Sequence, residues 1–319
     1  MRRQRGATIV ELMVALTVGM LVLLMAGGML VSANAAYLAQ VEAAALDDAG
    51  RYALELIARA ARQGGFVNWE REDAGPDASM APALVRGLDA RTLARASDGI
   101  EAPDNPPGGA VNGSDVLALR FAGAGSGAGG DGSAINCAGF GVGQHEEGWS
   151  IFYAARNAAG EAELRCKYRG KVSWSADAIV GGIDTFQVLY GLDTDLLADG
   201  VANEYVSAGV IDERDAALVL PAPTAADPQA RERERVRRTH WKRVTSIRVA
   251  LLIHAPRRAL PDLDPKVFDL FGRAYSDAAG GDDPGVRLDE AQLPGDARRR
   301  TRKLFAATVL LRNQPVQAQ

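Results

Sequence analysis

The pattern of apolar and charged positions divides the chain into an uncharged N-terminal run and a longer region of mixed polarity. Residues 12–31 form a run of 20 residues that carries no charge and a single hydroxyl, Thr17. As a helix, this run would be about 30 Å long, which is the thickness of the hydrocarbon core of a bilayer. The pattern predicts one membrane-spanning helix.

The charges that flank this run are asymmetric. Arg2, Arg3 and Arg5 precede it, and the first charged residue after it is Glu42. Positively charged flanks remain on the cytoplasmic side during membrane insertion. The asymmetry predicts a short cytoplasmic N-terminus, a single pass through the membrane and a periplasmic or otherwise extracytoplasmic remainder.

The helical pattern continues beyond the membrane segment. Apolar residues recur at helical spacing as far as Ile57 and Ala60, with acidic and basic residues between them. Gly64 and Gly65 then supply a stop signal. We predict one helix from about residue 8 to residue 62, whose outer half packs on a globular head, on neighbouring subunits, or on both.

A cleaved signal peptide is the competing interpretation, because Ala33-Asn34-Ala35 matches the small-x-small cleavage pattern. The apolar run exceeds the usual hydrophobic region of about 7 to 15 residues, and Glu11 lies where that region would begin. A carboxylate inside a bilayer costs on the order of 3 kcal/mol unless it is paired. No basic residue lies within the thirty positions after Glu11, so its partner has to come from elsewhere.

The remainder of the chain predicts a β-rich head. Residues 66 to about 114 are rich in Ala, Asp, Pro and Gly and are expected to form loops. Six later runs, rich in β-branched and aromatic residues, predict the strands of an antiparallel sheet: 116–122, 149–154, 162–168, 183–190, 246–254 and 304–311. After a long N-terminal helix, these strands predict an α+β fold in which the helix packs on the sheet.

The net charge of −4 argues against bulk binding of nucleic acid. Two basic clusters, RERERVRRTHWKR at residues 231–243 and ARRRTRK at residues 297–303, are the exceptions. Alternating signs in the first cluster predict a solvated helix or hairpin, with contact to a partner subunit as the functional alternative.

The first residues carry a family resemblance. The sequence GATIVEL at residues 6–12 resembles the prepilin signature of type IV pilins and type II secretion pseudopilins. The resemblance implies that the basic leader is cleaved after Gly6 and that the new N-terminal amine, on Ala7, is methylated and stays positive. Ala7 stands where the family usually has Phe. In this family the Glu at the position of Glu11 neutralises the amine of a neighbouring subunit, so Glu11 is implied to be an assembly contact.

The head resembles the minor pilin family PilW. The resemblance is carried by SDVLALRF, WSIFYAARNAAGEAELRCKY, IVGGIDTFQVLYGLDTD, SIRVALLIHA and KLFAATVLLRN. It implies a pilin-like fold and a low-abundance subunit that assembles with other minor pilins and the major pilin, primes pilus assembly and caps the tip. The alternatives are a minor pseudopilin of a type II secretion system and a periplasmic enzyme or binding protein with a single-helix anchor.

These interpretations give four regions. Residues 1–6 are the leader removed by a prepilin peptidase, 7–31 the transmembrane helix, 32–65 its periplasmic continuation and 66–319 the globular head. The subunit is expected in the inner membrane before assembly and outside the cell when it is part of a pilus.

The chain has two cysteines, Cys137 and Cys166, and they flank a predicted strand. If the head leaves the cytoplasm, one disulfide between them is the simplest expectation. Two buried free thiols are the alternative.

The segment LDTDLLADGVANEY brings together four residues with oxygen donors of the kind that calcium binds: Asp193, Asp195, Asp199 and Asn203. Relatives in the PilW family often have a more compact DTDGDG there. The spacing differs from that of an EF-hand, so we favour a solvated acidic turn, with calcium as the alternative and no other cofactor expected.

The histidines do not indicate catalysis. His145, His240 and His254 are far apart in sequence, and the chain contains neither HExxH nor GxSxG. We expect most of them at the surface or at sheet edges, and we predict a protein that is not an enzyme.

Overall fold

The computed structural model describes residues 8–66, 80–100, 109–127, 129–221, 227–258, 264–295, 297–298 and 300–313. By the density of internal contacts the chain divides into two units, Met1–Asp48 and Ala49–Gln319. The first unit, where it is described, is helical, and the second contains the last turns of the same helix together with all the strands.

Helix α1 runs from Ile9 to Gln63 without interruption, as the sequence predicts. Its end is fixed by Gly64 and Gly65. The Gly64 N–H donates to the carbonyl of Ala60 at 2.8 Å, and Gly65 takes a positive φ of 71°, a conformation that favours glycine. The Gly65 N–H then donates to the carbonyl of Arg120, which attaches the end of the helix to a strand of the head.

The first sheet contains five antiparallel strands in the order β1-β2-β3-β4-β5. Their bounds are β1 Val85–Leu88, β2 Val116–Ala122, β3 Glu147–Arg156, β4 Ala162–Arg169 and β5 Trp174–Gly181. Strands β2 and β3 are buried along most of their length, because this sheet is covered on both faces.

The second sheet contains four antiparallel strands in the order β11-β8-β6-β7. Their bounds are β6 Ile183–Leu192, β7 Glu204–Val206, β8 Val244–Arg258 and β11 Arg300–Leu310. A two-stranded ribbon of β9 Val267–Asp269 and β10 Arg287–Asp289 accompanies it. The described residues also contain three short α-helices: α2 Ala208–Ala216, α3 Pro228–Arg238 and α4 Arg273–Ala279.

All six predicted strands are present and every strand pair is antiparallel, so the α+β class is confirmed. The expected single sheet is instead divided in two. The chain passes from β5 to β6 through Gly182, which has a φ of 75°. A Cβ at Gly182 would lie 2.6 Å from the carbonyl oxygen of His254, so only glycine permits this turn between the sheets. Strand β1 is a second difference, because it lies in a segment whose composition predicts loop.

The last turns of α1 pack on the head. Ala53, Ile57 and Ala61 are fully buried there. Gly50 faces the ring of Phe305 on β11, and a Cβ at this position would lie 2.5 Å from the ring. Small residues thus allow the helix to approach the second sheet closely.

Candidate functional site

The N-terminus of α1 is closed by a reciprocal pair of hydrogen bonds between Thr8 and Glu11. The Thr8 N–H donates to Glu11 Oε2 at 2.8 Å, and the Thr8 hydroxyl donates to the same oxygen at 3.0 Å. The Glu11 N–H lies 3.2 Å from the Thr8 hydroxyl oxygen, which accepts its hydrogen. A Thr followed three residues later by Glu is a capping box, which satisfies backbone donors that a helix start leaves free.

The capping box gives Glu11 a local partner that the sequence analysis missed. The signal was present, because Thr8 stands three positions before Glu11 at the start of an apolar run. The hydrogen bonds from Thr8 leave the carboxylate with its negative charge, and the residue is exposed. Glu11 therefore caps its own helix, and within the described residues 8–66 no basic side chain pairs with its carboxylate.

The first part of α1 exposes an apolar surface. Its large apolar side chains between Ile9 and Val31 are 53% to 79% exposed. The most apolar window of the helix has a mean hydropathy of 2.5 and is long enough to cross a membrane. The hydroxyl of Thr17 donates to the carbonyl of Val14 at 2.9 Å, so the one hydroxyl of the apolar run is satisfied within the helix.

The predicted processing residues, Gly6 and Ala7, lie outside the described residues. Cleavage after Gly6 and methylation of Ala7 remain predictions from the motif. The role of Glu11 in assembly also remains a prediction.

The structure contains the disulfide between Cys137 and Cys166, with Cα atoms 5.9 Å apart. Both cysteines are buried, and the Cys137 N–H donates to the hydroxyl of Ser150 on β3. The bond links the loop between β2 and β3 to strand β4. It therefore crosses β3 and fixes the Gly-rich loop to the first sheet.

The acidic turn after β6 brings its predicted residues together. One carboxylate oxygen from each of Asp193, Asp195 and Asp199 lies within 4.8 Å of the others. Asp193 is buried and its two oxygens accept the N–H groups of Asp195 and Gly200 at 3.1 and 2.8 Å. The side chain of Asn203 accepts from the Thr194 N–H and donates to Asp195. These bonds account for the turn by protein contacts, and calcium binding there remains a prediction.

The two basic clusters differ in environment. In the first cluster, Trp241 and Lys242 are buried. Its residues 231–238 lie in α3, which has no buried residue and carries an ion pair between Arg238 and Glu234. This is the solvated helix that the alternating charges predict. In the second cluster, the side chain of Arg302 is fully buried, and its guanidinium lies 2.7 Å from Asp184 and 2.8 Å from Glu290.

His254 is the exception to the expectation that most histidines lie at the surface or at sheet edges. This residue lies on the central strand β8 and is 8% exposed. Its Nδ1 lies 3.1 Å from Asp184, and its Nε2 lies 2.6 Å from a guanidinium nitrogen of Arg300. His254 and Arg302 belong to one buried network, because both contact the carboxylate of Asp184 on β6.

Two segments of the chain match known protein families. Residues 1–27 match the prokaryotic N-terminal methylation motif. Residues 151–313, just over half of the chain, match the family of the type IV pilus-assembly protein W, PilW. The chain belongs to the PilW family.

Among solved structures, this PilW-family chain is similar to a type IV-like pilin from Thermus thermophilus at 13% identity. The similarity covers 85% of this chain and 99% of the other, with a TM-score of 0.37. A search of curated protein sequences finds no match.

Membership of the PilW family indicates a type IV pilin with a structural rather than an enzymatic role. The methylation motif and the apolar helix together indicate a pilin anchored in a membrane. The family also implies assembly with other pilins and processing by a prepilin peptidase.

Proposed function

We propose that this protein is a minor type IV pilin that joins other minor pilins in the complex that primes pilus assembly and caps the tip of the filament. Before assembly it is held in the inner membrane by α1, with its N-terminus in the cytoplasm and its head in the periplasm. The observation that carries the proposal is a methylation motif directly followed by an exposed apolar helix, joined to a head of the PilW family.

The proposed assembly contact is a charge pair between subunits. Cleavage after Gly6 would create an amine on Ala7, next to Thr8 and Glu11. A carboxylate and an ammonium are each unfavourable in hydrocarbon and become tolerable when they neutralise each other. Pairing of Glu11 with the amine of a neighbour would therefore favour one axial register between adjacent helices. The exposed apolar surface of α1 supplies the packing contact in this arrangement.

The geometry of the capping box supports this assignment. Hydrogen bonds from Thr8 orient the Glu11 carboxylate at the first turn of the helix without cancelling its charge. A carboxylate near a helix N-terminus is also stabilised by the helix dipole. The acidic group is thus held ready, in its ionised form, for an external cation.

The test of the class is mass spectrometry of the N-terminus of the mature protein. A chain that begins with N-methylated Ala7 supports the proposal. A mature chain that begins at Ala36, after the signal-peptide-like sequence, would contradict it. A Gly6→Val variant serves as the control, since it should retain the leader while the rest of the chain still enters the membrane.

A pseudopilin of a type II secretion system shares the methylation motif, and the match to PilW favours the pilus. Deletion of the protein separates the two functions. We expect loss of surface pili with secretion of exoproteins intact, and the reverse result would assign the protein to secretion. For an anchored enzyme or binding protein, by contrast, removal of the Glu11 side chain should leave function intact.

A further inference from the structure

Three aspartates that are far apart in sequence meet inside the head. One carboxylate oxygen from each of Asp89, Asp115 and Asp283 lies within 4.8 Å of the other two. Asp115 and Asp283 are each only 2% exposed, and Asp89 is half-buried. Burial of even one carboxylate is costly unless a positive charge or hydrogen bonds compensate it. A cluster of three carboxylates in the head is not accounted for by the proposed role of α1 in assembly.

Each carboxylate is held by a different part of the fold. Asp89 follows β1 and accepts the N–H groups of Ala208 and Gly209, at the start of α2, at 2.9 and 2.7 Å. Asp115 immediately precedes β2 and accepts from the N–H of Ala90 at 3.1 Å and from the N–H of Val188, on β6, at 2.9 Å.

The third carboxylate belongs to the loop after α4. Its Oδ2 accepts the hydroxyl of Tyr275 at 2.8 Å. The cluster therefore joins the first sheet, the second sheet and the loop that contains Asp283. These contacts hold the carboxylates in place, and they contain no positive charge.

Two buried oxygens beside the cluster have no hydrogen-bond partner among the described residues. One is Oδ1 of Asp283, and the other is the hydroxyl of Tyr190, a side chain that is 1% exposed. Burial raises the pKa of Tyr190 well above its usual value, and the negative charges of Asp115 and Asp89 raise it further, so this hydroxyl lies within electrostatic reach of the cluster. A buried polar atom without a partner is uncommon and points to a missing water or ion.

The pKa values of the two buried carboxylates, Asp115 and Asp283, are both raised. Burial raises the pKa of Asp115, and the charges of Asp89 and Asp283 add to the effect. Burial and Asp89 likewise raise the pKa of Asp283 to about 7. The main causes that raise both pKa values are burial and neighbouring carboxylates. The cluster can be neutralised by shared protons or by a cation. The two N–H groups that donate to opposite oxygens of Asp115 favour its ionised form, and hence the cation.

We propose that Asp89, Asp115 and Asp283 bind one hard divalent cation, Ca²⁺, in the interior of the head. Calcium takes six to eight oxygen ligands at about 2.3 to 2.6 Å, so it can bridge oxygens up to roughly 5 Å apart. Mg²⁺ requires an octahedral site at about 2.0 to 2.1 Å, which three carboxylates fixed by separate backbone segments are less suited to form. The hydroxyl of Tyr190 and Oδ1 of Asp283 would then bind the ion or a water on it.

The bound ion would link the two sheets. Asp115 accepts a hydrogen bond from Val188 on the second sheet and immediately precedes β2 of the first. Asp283 brings the loop after α4 to the same cluster. The site is separate from the acidic turn formed by Asp193, Asp195 and Asp199. Removal of the ion should therefore loosen the junction between the sheets and leave the disulfide and α1 unchanged.

The test is a Ca²⁺ titration of the full-length protein in detergent micelles after removal of metal with EGTA. Isothermal titration calorimetry should show one tight equivalent. An Asp283→Asn variant should lose at least about 100-fold in affinity, because Asn keeps the shape and removes the charge. The matched control is Asp195→Asn/Asp199→Asn, which removes two carboxylates from the acidic turn and should retain the tight equivalent.

Four results would refute a Ca²⁺ site at Asp89, Asp115 and Asp283. Absence of a tight equivalent in the wild type, its loss in the acidic-turn control, its retention in Asp283→Asn, or tighter binding of Mg²⁺ than of Ca²⁺ would each refute the site. If Asp283→Asn does not fold, Tb³⁺ luminescence of the wild type decides, since the Tyr275 hydroxyl lies 2.8 Å from Asp283 and its ring can therefore sensitise the emission. Sensitised emission that one equivalent of Ca²⁺ displaces, and that the acidic-turn control keeps, supports the proposal, and any other pattern refutes it.

Discussion

Glu11 combines two properties that are usually assigned to different residues. Its carboxylate accepts hydrogen bonds from Thr8 and completes the N-cap of α1, and it carries a charge in an otherwise uncharged run. The cap requires only an acceptor, since Gln serves the capping box as well as Glu. The proposed pairing with an amine requires the negative charge. The two roles can therefore be separated by substitution.

Glu11→Gln is predicted to keep the helix cap and to abolish incorporation into pili. Glu11→Ala should lose both the cap and incorporation. Both variants should still be found in the membrane fraction, because the apolar run is unchanged, and pilus shearing followed by immunoblotting measures the incorporation.

Thr8→Ala is the matched control. It removes the capping hydroxyl, at a cost of about 1 kcal/mol in helix stability, and leaves the charge of Glu11 in place. We expect this variant to assemble. Normal assembly of Glu11→Gln would show that the carboxylate acts only as a cap and would contradict the charge-pair mechanism.

The disulfide makes a separate contribution at the level of single residues. Replacement of Cys137 and Cys166 together by Ala should lower the free energy of unfolding by about 3 to 4 kcal/mol, the chain-entropy value for a loop of this size. Alanine avoids placing hydroxyls at two buried positions. Urea unfolding of the double variant and of the wild type, with and without reductant, measures the difference. A variant as stable as the oxidised wild type would refute this value.

At the scale of secondary-structure elements, the buried network of Arg302 joins β11 to β6 and to the turn after β10. Arg302→Leu should destabilise the head by about 3 to 5 kcal/mol, because Asp184 and Glu290 would remain as buried carboxylates without their cation. Arg273→Leu is the matched control. Its ion pair with Asp277 is exposed, so its loss should cost less than about 1 kcal/mol. Chemical denaturation measures the free energy of unfolding of both variants. An equal decrease for Arg302→Leu and Arg273→Leu would contradict this account.

The elements differ in how well the sequence predicts them. Helix α1 and the six main strands have long, strongly apolar patterns, and the structure confirms them. Strand β1 has four residues in a Pro- and Gly-rich segment, and strand β5 has an irregular burial pattern, so neither carries a periodic signal. The division into two sheets depends on one glycine, Gly182, whose positive φ is invisible in composition.

The sites follow the same rule. The methylation motif and the acidic turn are contiguous in sequence, and the sequence analysis found both. The cluster of Asp89, Asp115 and Asp283 is formed by three segments that only the folded topology brings together. No local spacing could have predicted it, because each aspartate taken alone resembles an ordinary loop residue.

At the scale of the whole molecule, β11 and the residues after it contact segments that come much earlier in the chain. Strand β11 pairs with β8 along its length, and the side chain of Asn313 donates to the carbonyls of Arg62 and Gly64 at the end of α1. A chain that stops before β11 should therefore insert in the membrane but leave its head open to proteolysis. Limited proteolysis of spheroplasts measures the protease sensitivity of the head. Asn313→Ala is the milder control, because it removes only the bonds to Arg62 and Gly64. Protease resistance of the truncated chain would contradict the prediction.

The bond between Asn313 and Gly64 spans 249 positions of the chain. At a synthesis rate of roughly 5 to 20 residues per second, the ribosome needs about 12 to 50 s to travel that distance. In the proposed topology, α1 would already be embedded in the membrane during this interval, while β11 would not yet have been exported. On the proposed function, each new subunit would spend tens of seconds as a membrane-tethered molecule whose head lacks β11, and it would become competent for assembly only after β11 is exported.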